Sequence, residues 1–170
     1  MNLRSVQALA PALLLLLSAP LAQPSLAQAQ PAQTPFTSAA EVEALMAKAE
    51  RDRKPDQPNF IQPLLKLAPY TANLEYRTAR APAAVHAKEA ELFYVLEGSG
   101  TLVTGGTLTD ASQRNPDNMT GSGIADGQTR KVAKGDVFVV PENTPHWFSA
   151  VDGRLVLMSL HLPRGAQPGG

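Results

Sequence analysis

The 170-residue sequence contains no cysteine, so disulfide frameworks, thiolate nucleophiles and thiolate-bound zinc are all excluded. Acidic and basic residues balance at 15 each, which leaves no net charge to hold nucleic acid or an anionic membrane surface. Aromatic residues are scarce, at 5% with a single tryptophan, and histidine occurs only as His86, His146 and His161. Stability must come from aliphatic packing. A domain of this size buries roughly two thirds of the surface its unfolded chain exposes, enough for one core.

One apolar run is present, over residues 6–17, with five consecutive leucines from Leu13. It follows Arg4, is too short to span a bilayer and is interrupted by Pro11, so it reads as a secretory signal rather than an uncleaved anchor. Small-x-small cleavage sites follow at 20–22, 25–27 and 27–29, and the division expected is a signal peptide over 1–29. The exported chain is then periplasmic or secreted, with no stable membrane association.

Residues 30–59 read as a flexible leader plus one short helix, with order beginning near Phe36. Ser38 and Glu41 have the form of a capping box, and Val42, Leu45, Met46 and Ala49 follow at helical spacing until Pro55. From Phe60 the texture becomes short apolar runs between Pro, Gly, Asn and Asp, which predicts an all-β domain over 60–165. Strands are expected at 61–67, 74–78, 84–86, 91–96, 101–104, 128–133, 136–140, 146–151 and 154–162. Hairpin turns are expected at 97–100, 134–136 and 152–153. The polar stretch 105–127 reads as a long loop, either a lid or a surface excursion.

Alternation along 91–96 sends Glu91, Phe93 and Val95 to one face and Leu92, Tyr94 and Leu96 to the other. A strand apolar on both faces is covered on both, and a carboxylate at its start is costly to bury without a cation or several donors. The same parity groups His146 with Phe148 and Ala150. Across a turn at 152–153 it sets Ala150 opposite Leu155, Phe148 opposite Leu157 and His146 opposite Ser159, with His161 one step further on the same face. His86, Glu91 and His146 thus converge as a metal site in outline.

Two segments carry a family resemblance. His86, Glu91 and Gly98 are spaced as the second histidine, the glutamate and the closing glycine of one motif, and Gly135, Pro141 and His146 as the glycine, proline and histidine of another. Over residues 78–150 the chain resembles the cupin superfamily, small β-barrels built on these two motifs. The resemblance implies a double-stranded β-helix (jelly-roll) barrel with one short N-terminal helix. Departures are Thr78 for the first glycine, Ala84 for the leading histidine, Asn143 for an internal glycine and Ala150 for the final asparagine. Asn143 can adopt the left-handed conformation a glycine would supply. Ala84 costs an imidazole.

Two histidines and one carboxylate still form a facial triad with open coordination positions, suited to Fe and also to Mn, Zn or Ni. Such a centre favours a small oxygenated molecule that chelates through two oxygens. The expected function is metal-dependent chemistry of oxygenase, isomerase or lyase type on that molecule, or its binding. The alternative is a non-catalytic or structural barrel with a decayed site, its interior filled by Phe93, Phe138, Phe148 and Leu157. His161, Ser159, Tyr76, Arg80 and Lys88 are candidates for supporting or substrate contacts, and His161 for a replacement ligand. Trp147 reads as a packing residue. Leu92, Tyr94, Leu96, Val156, Met158 and Leu160 form an outward apolar set that suggests a homodimer.

Overall fold

The computed structural model describes residues 33–163, so the expected signal segment and its cleavage sites lie outside it. Among the described residues, no helix is long and apolar enough to cross a membrane. Order begins slightly earlier than expected: Thr34 bridges to Lys66, and the Thr37 hydroxyl donates to the Leu64 carbonyl at 2.6 Å.

Helix α1 (Ala39–Asp52) starts at the expected capping box, with the Ser38 side chain accepting from the Glu41 N–H and the Glu41 carboxylate accepting from the Ser38 N–H. It ends at Arg53, whose extended backbone turns the chain away ahead of Pro55. Eleven strands follow among the described residues: β1 (Asn59–Leu67), β2 (Tyr70–Arg77), β3 (Ala83–His86), β4 (Glu89–Thr104), β5 (Thr107–Thr109), β6 (Ser112–Asn115), β7 (Asn118–Gly121), β8 (Gly123–Ala125), β9 (Gln128–Ala133), β10 (Val137–Val140) and β11 (His146–Pro163). The main sheet runs β1-β2-β11-β3-β7-β6, with β4 joining β11 on one side and β9 and β10 on the other.

Three expected hairpins are bends instead. β4 and β11 each continue through their glycines and pair with one another along their length, from His146↔Thr104 to Pro163↔Glu89. Phe148 therefore faces Leu102, Leu157 faces Val95 and Ser159 faces Phe93, rather than the pairings predicted across 152–153. A register shift between Phe148 and Ala150 turns Ala150 out to solvent. Gly98 permits the bend: its φ is +80°, and a Cβ there would lie 1.9 Å from the Arg154 carbonyl oxygen. The turn at 134–136 likewise steps the chain along one edge of β4, since β9 pairs with 99–104 and β10 with 91–94.

The polar stretch 105–127 is not a loop. It holds β5 to β8, with β5 pairing β8 and β7 pairing both β6 and β3. Asn115-Pro116-Asp117-Asn118 supplies ordinary turn chemistry between β6 and β7. Polarity at the exposed β6 hid the strands, because alternation against solvent on one side and a neighbouring strand on the other leaves little apolar signal.

The barrel interior is filled by Phe93, Val95, Leu102, Val132, Val140, Phe148, Leu155 and Leu157, with Phe138 packed against them. A second cluster lies outside the barrel wall, where Val42, Leu45, Met46 and Ala49 of α1 cover Leu74, Tyr76, Val156, Phe60 and Leu96. Leu96 and Val156 of the outward apolar set are thus covered by the chain's own helix. Tyr94 remains 38% exposed. Truncating Leu74, which is fully buried under α1, should cost about 2–5 kcal/mol on substitution by alanine. The exposed Leu67 should cost under about 0.5 kcal/mol. Urea unfolding of both variants checks this, and equal losses would contradict the burial assigned to the helix interface.

Candidate metal centre

The candidate centre assembles from three places in the sheet. His86 closes β3, between β7, where its partner is Asn118, and β11, where Ala84 faces His146. Glu91 lies near the start of β4 and is flanked by Val140 of β10 and His161 of β11. His146 opens β11. The turn before it contains Asn143, in the left-handed conformation with φ 55°, and the Asn143 N–H donates to the His86 carbonyl at 2.7 Å. Asn143 thus does the work of the missing glycine and ties the two histidine-bearing segments together.

The ligand-type atoms of His86, Glu91 and His146 lie within 4.8 Å of one another, a grouping that can hold a metal ion. His86 Nε2 is 3.5 Å and His146 Nε2 3.3 Å from Glu91 Oε2. Glu91 and His146 are buried, at 4% and 6% exposed. His86 is half-buried.

Hydrogen bonds on the far side of each ring set its tautomer. Asn118 Nδ2 donates to Asn115 Oδ1 at 2.9 Å, which turns Asn118 Oδ1 toward His86 Nδ1 at 2.5 Å. His146 Nδ1 lies 3.2 Å from the Thr144 carbonyl oxygen. Both partners only accept, so both rings donate from Nδ1 and aim the Nε2 lone pair at the Glu91 carboxylate. Lone pairs facing lone pairs repel, and a cation between them, a proton or a metal ion, removes the conflict. The donor set therefore fits a divalent ion.

Titration in the metal-free protein reflects the same conflict. The Glu91 carboxylate, assisted by Asn118, holds the His86 imidazole above its ordinary value against the opposing effect of burial. For Glu91 the largest single influence is burial, which raises it. The facing His146 and His86 rings, with the charge of His161, outweigh that and hold the carboxyl well below the usual carboxylate range.

The remaining expected residues divide sharply. His161 joins the group from the other side, with Nε2 3.4 Å from Glu91 Oε1 and Nδ1 3.0 Å from Glu89 Oε2. Ser159 is fully buried beside Phe93 and Asn73, and its hydroxyl has no hydrogen-bond partner among the described residues. Lys88 is exposed and paired with Asp117 at 2.8 Å at the mouth. Tyr76 is not a site residue: it lies with Ala72 and Leu74 on the face of β2 beneath α1. Arg80 is exposed, in the Pro82-containing connection where strand parity does not carry from β2 to β3. Trp147 is a packing residue whose indole N–H donates to the Ala81 carbonyl at 2.8 Å. Asn118, unassigned from sequence, emerges as the anchor of His86; the Pro116-Asp117 turn ahead of it was the available signal.

A cleft of about 330 Å³, lined by His86, Lys88, Glu89, Asp117, Asn118 and Pro163, lies on the His86 side of the group. Beneath it the barrel is closed by aromatic rings, with Phe93 stacked on Phe138 at 5.1 Å and edge-on to Phe148 at 5.6 Å.

A family model described as Cupin matches residues 56–162, and no curated protein matches the sequence. Among solved structures, a Bacillus halodurans protein superposes with a TM-score of 0.50 at 17% identity, covering 80% of this chain and 86% of its own. KdgF from Halomonas sp. superposes at 0.48 and 18% identity, over 68% and 91% of the two chains. A cupin protein from Bacteroides fragilis does so at 0.45 and 14%, over 70% and 89%. At such identities the likeness concerns fold alone, an all-β jelly-roll barrel. Because the family match takes in both spaced motifs and runs from just before β1 almost to the end of β11, the chain belongs to the cupin family.

Proposed function

We propose that this barrel binds one divalent metal ion through His86, Glu91 and His146 and uses it to bind, and to act on, a small oxygenated molecule. The observation that carries this reading is the orientation of the two rings, each donating from Nδ1 and presenting Nε2 to a buried carboxylate. Iron, manganese, zinc and nickel all accept two imidazoles and one carboxylate. Bound there, such an ion supplies a Lewis-acid centre that stabilises developing negative charge on oxygen. Asn118 and the Thr144 carbonyl hold the rings in place, and the aromatic floor keeps water from the inner side. The cleft at the mouth suits a small molecule bearing two neighbouring oxygens.

A second reading, a ligand-binding or structural barrel with a decayed site, draws on Ala84, which presents a methyl group opposite His146. Elemental analysis of protein purified without a metal-binding tag separates the two. Stoichiometric metal in the wild type, lost in His86→Ala, supports the first; metal in neither sample supports the second.

Metal affinity should fall as pH falls, and the fall should begin above the ordinary histidine range. A raised His86 keeps its proton to higher pH, so the ion must displace that proton over a wider window. The sign reverses for stability without metal, where the His86–Glu91 contact contributes most below the His86 value and its contribution fades as pH rises through it. Zinc titrations at pH about 8 and about 6 should differ by about tenfold per pH unit for each proton displaced. Equal affinities would contradict proton competition at His86.

We further propose export, from the apolar run at 6–17, and a homodimer formed through the outer face of β10 and β4, where Val137 and Val139 are 62% and 52% exposed beside Tyr94. Mass spectrometry of chain made with an intact secretion system should show loss of the leader. Light scattering should give twice the chain mass, reverting to one in Val137→Lys; full-length monomer would contradict both proposals.

A further inference from the structure

His161 repeats, on the other side of Glu91, the arrangement that makes His86 and His146 ligands. Its Nδ1 lies 3.0 Å from Glu89 Oε2, an acceptor, so Nδ1 donates and the Nε2 lone pair faces Glu91 Oε1 at 3.4 Å. All three imidazoles are thus anchored at Nδ1 by oxygen and present Nε2 to one carboxylate. The Nε2-to-oxygen separations, 3.5, 3.3 and 3.4 Å, are long for an N–H···O hydrogen bond. His86 and His146 face Oε2 and His161 faces Oε1, so one ion would reach all three rings through both carboxylate oxygens; the ligand atoms that already lie within 4.8 Å of one another are those of His86, Glu91 and His146. The His86 and His161 rings meet edge to face with centroids 5.1 Å apart, so no other side chain intervenes between them.

We infer that His161 is a fourth metal ligand, supplied by the far end of β11 in place of the imidazole that Ala84 lacks. The inference rests on the metal reading above and extends it. A replacement cannot come from β3 itself, because Ala84 faces His146 across the sheet and its neighbour Val85 points into packing. β11 reaches the centre twice, once at His146 where it begins and again at His161, because its long pairing with β4 carries His161 to Glu91. Glu89 completes the set. A carboxylate on the outer nitrogen orients a ligating imidazole and raises its basicity, and Glu89 also lines the mouth cleft. Three imidazoles and one carboxylate would hold an ion more tightly than the facial triad and leave fewer positions open to a substrate.

The test uses the full-length protein and its His161→Ala and His161→Gln variants, loaded with Co(II) and read by visible absorption, with Zn(II) affinity measured by chelator competition. Wild type should show a spectrum that both variants change, with Zn(II) affinity lowered by more than about 100-fold, beyond the roughly 10–100-fold typical of a residue that only orients a ligand. Added imidazole should restore the Co(II) spectrum of His161→Ala, a rescue that a purely structural residue would not give. Superimposable spectra and affinities in wild type and variants would overturn the inference while leaving the three-residue site intact. Failure of wild type to bind either ion would instead overturn the metal reading, and the inference with it. The glutamine variant keeps the test decisive should the alanine variant not fold.

Discussion

A carboxylate taken almost wholly out of water has to be matched, and Glu91 is faced by three imidazole rings that match it once a proton or a metal ion lies between. His86 and His146 face one of its oxygens and His161 the other, each ring turned so that its second nitrogen donates outward to Asn118, Thr144 or Glu89. The rest of the barrel can be understood as the scaffold that makes this meeting possible. β4 supplies the acid, β11 supplies a histidine near each end, and their pairing along both lengths fixes how far apart those groups sit.

The demand for long pairing explains the glycines. A side chain at Gly98 would collide with the Arg154 carbonyl, and a tight turn at 152–153 would fold β11 back on itself and carry His161 away from Glu91. The bend allows both strands to wrap the aromatic interior and still bring their ends to one mouth. The helix serves the outer wall in the complementary way, covering Leu74, Tyr76 and Val156, which an open sheet would leave to water. The β5 to β8 region, for all its polarity, is part of the same scaffold: β7 extends the sheet beyond β3 and places Asn118 behind the His86 ring.

Much of this was legible in the chain. The capping box and apolar stripe of α1, the inward parity of Glu91, Phe93 and Val95, and the spacing of His86, Glu91 and His146 follow from local rules, since alternation and capping depend on neighbours within a few residues. So did the role of Asn143, whose backbone needs only its own side chain's tolerance of the left-handed region. The same rules failed where partners are remote. Tyr76, a candidate for a substrate contact, lies instead beneath α1, and the role of Asn118 depends on a partner on a strand distant in sequence.

What the sequence determined by itself was therefore composition and local form: an all-β chain without thiols, one amphipathic helix, and three site residues in spaced motifs. Only the tertiary structure decided which strands run on through their glycines and which imidazoles reach Glu91. The physical reason is that strand pairing is a contact between distant segments. A glycine at positive φ allows either a hairpin or a bend, and the choice is made by what the continued strand buries, which no local pattern records.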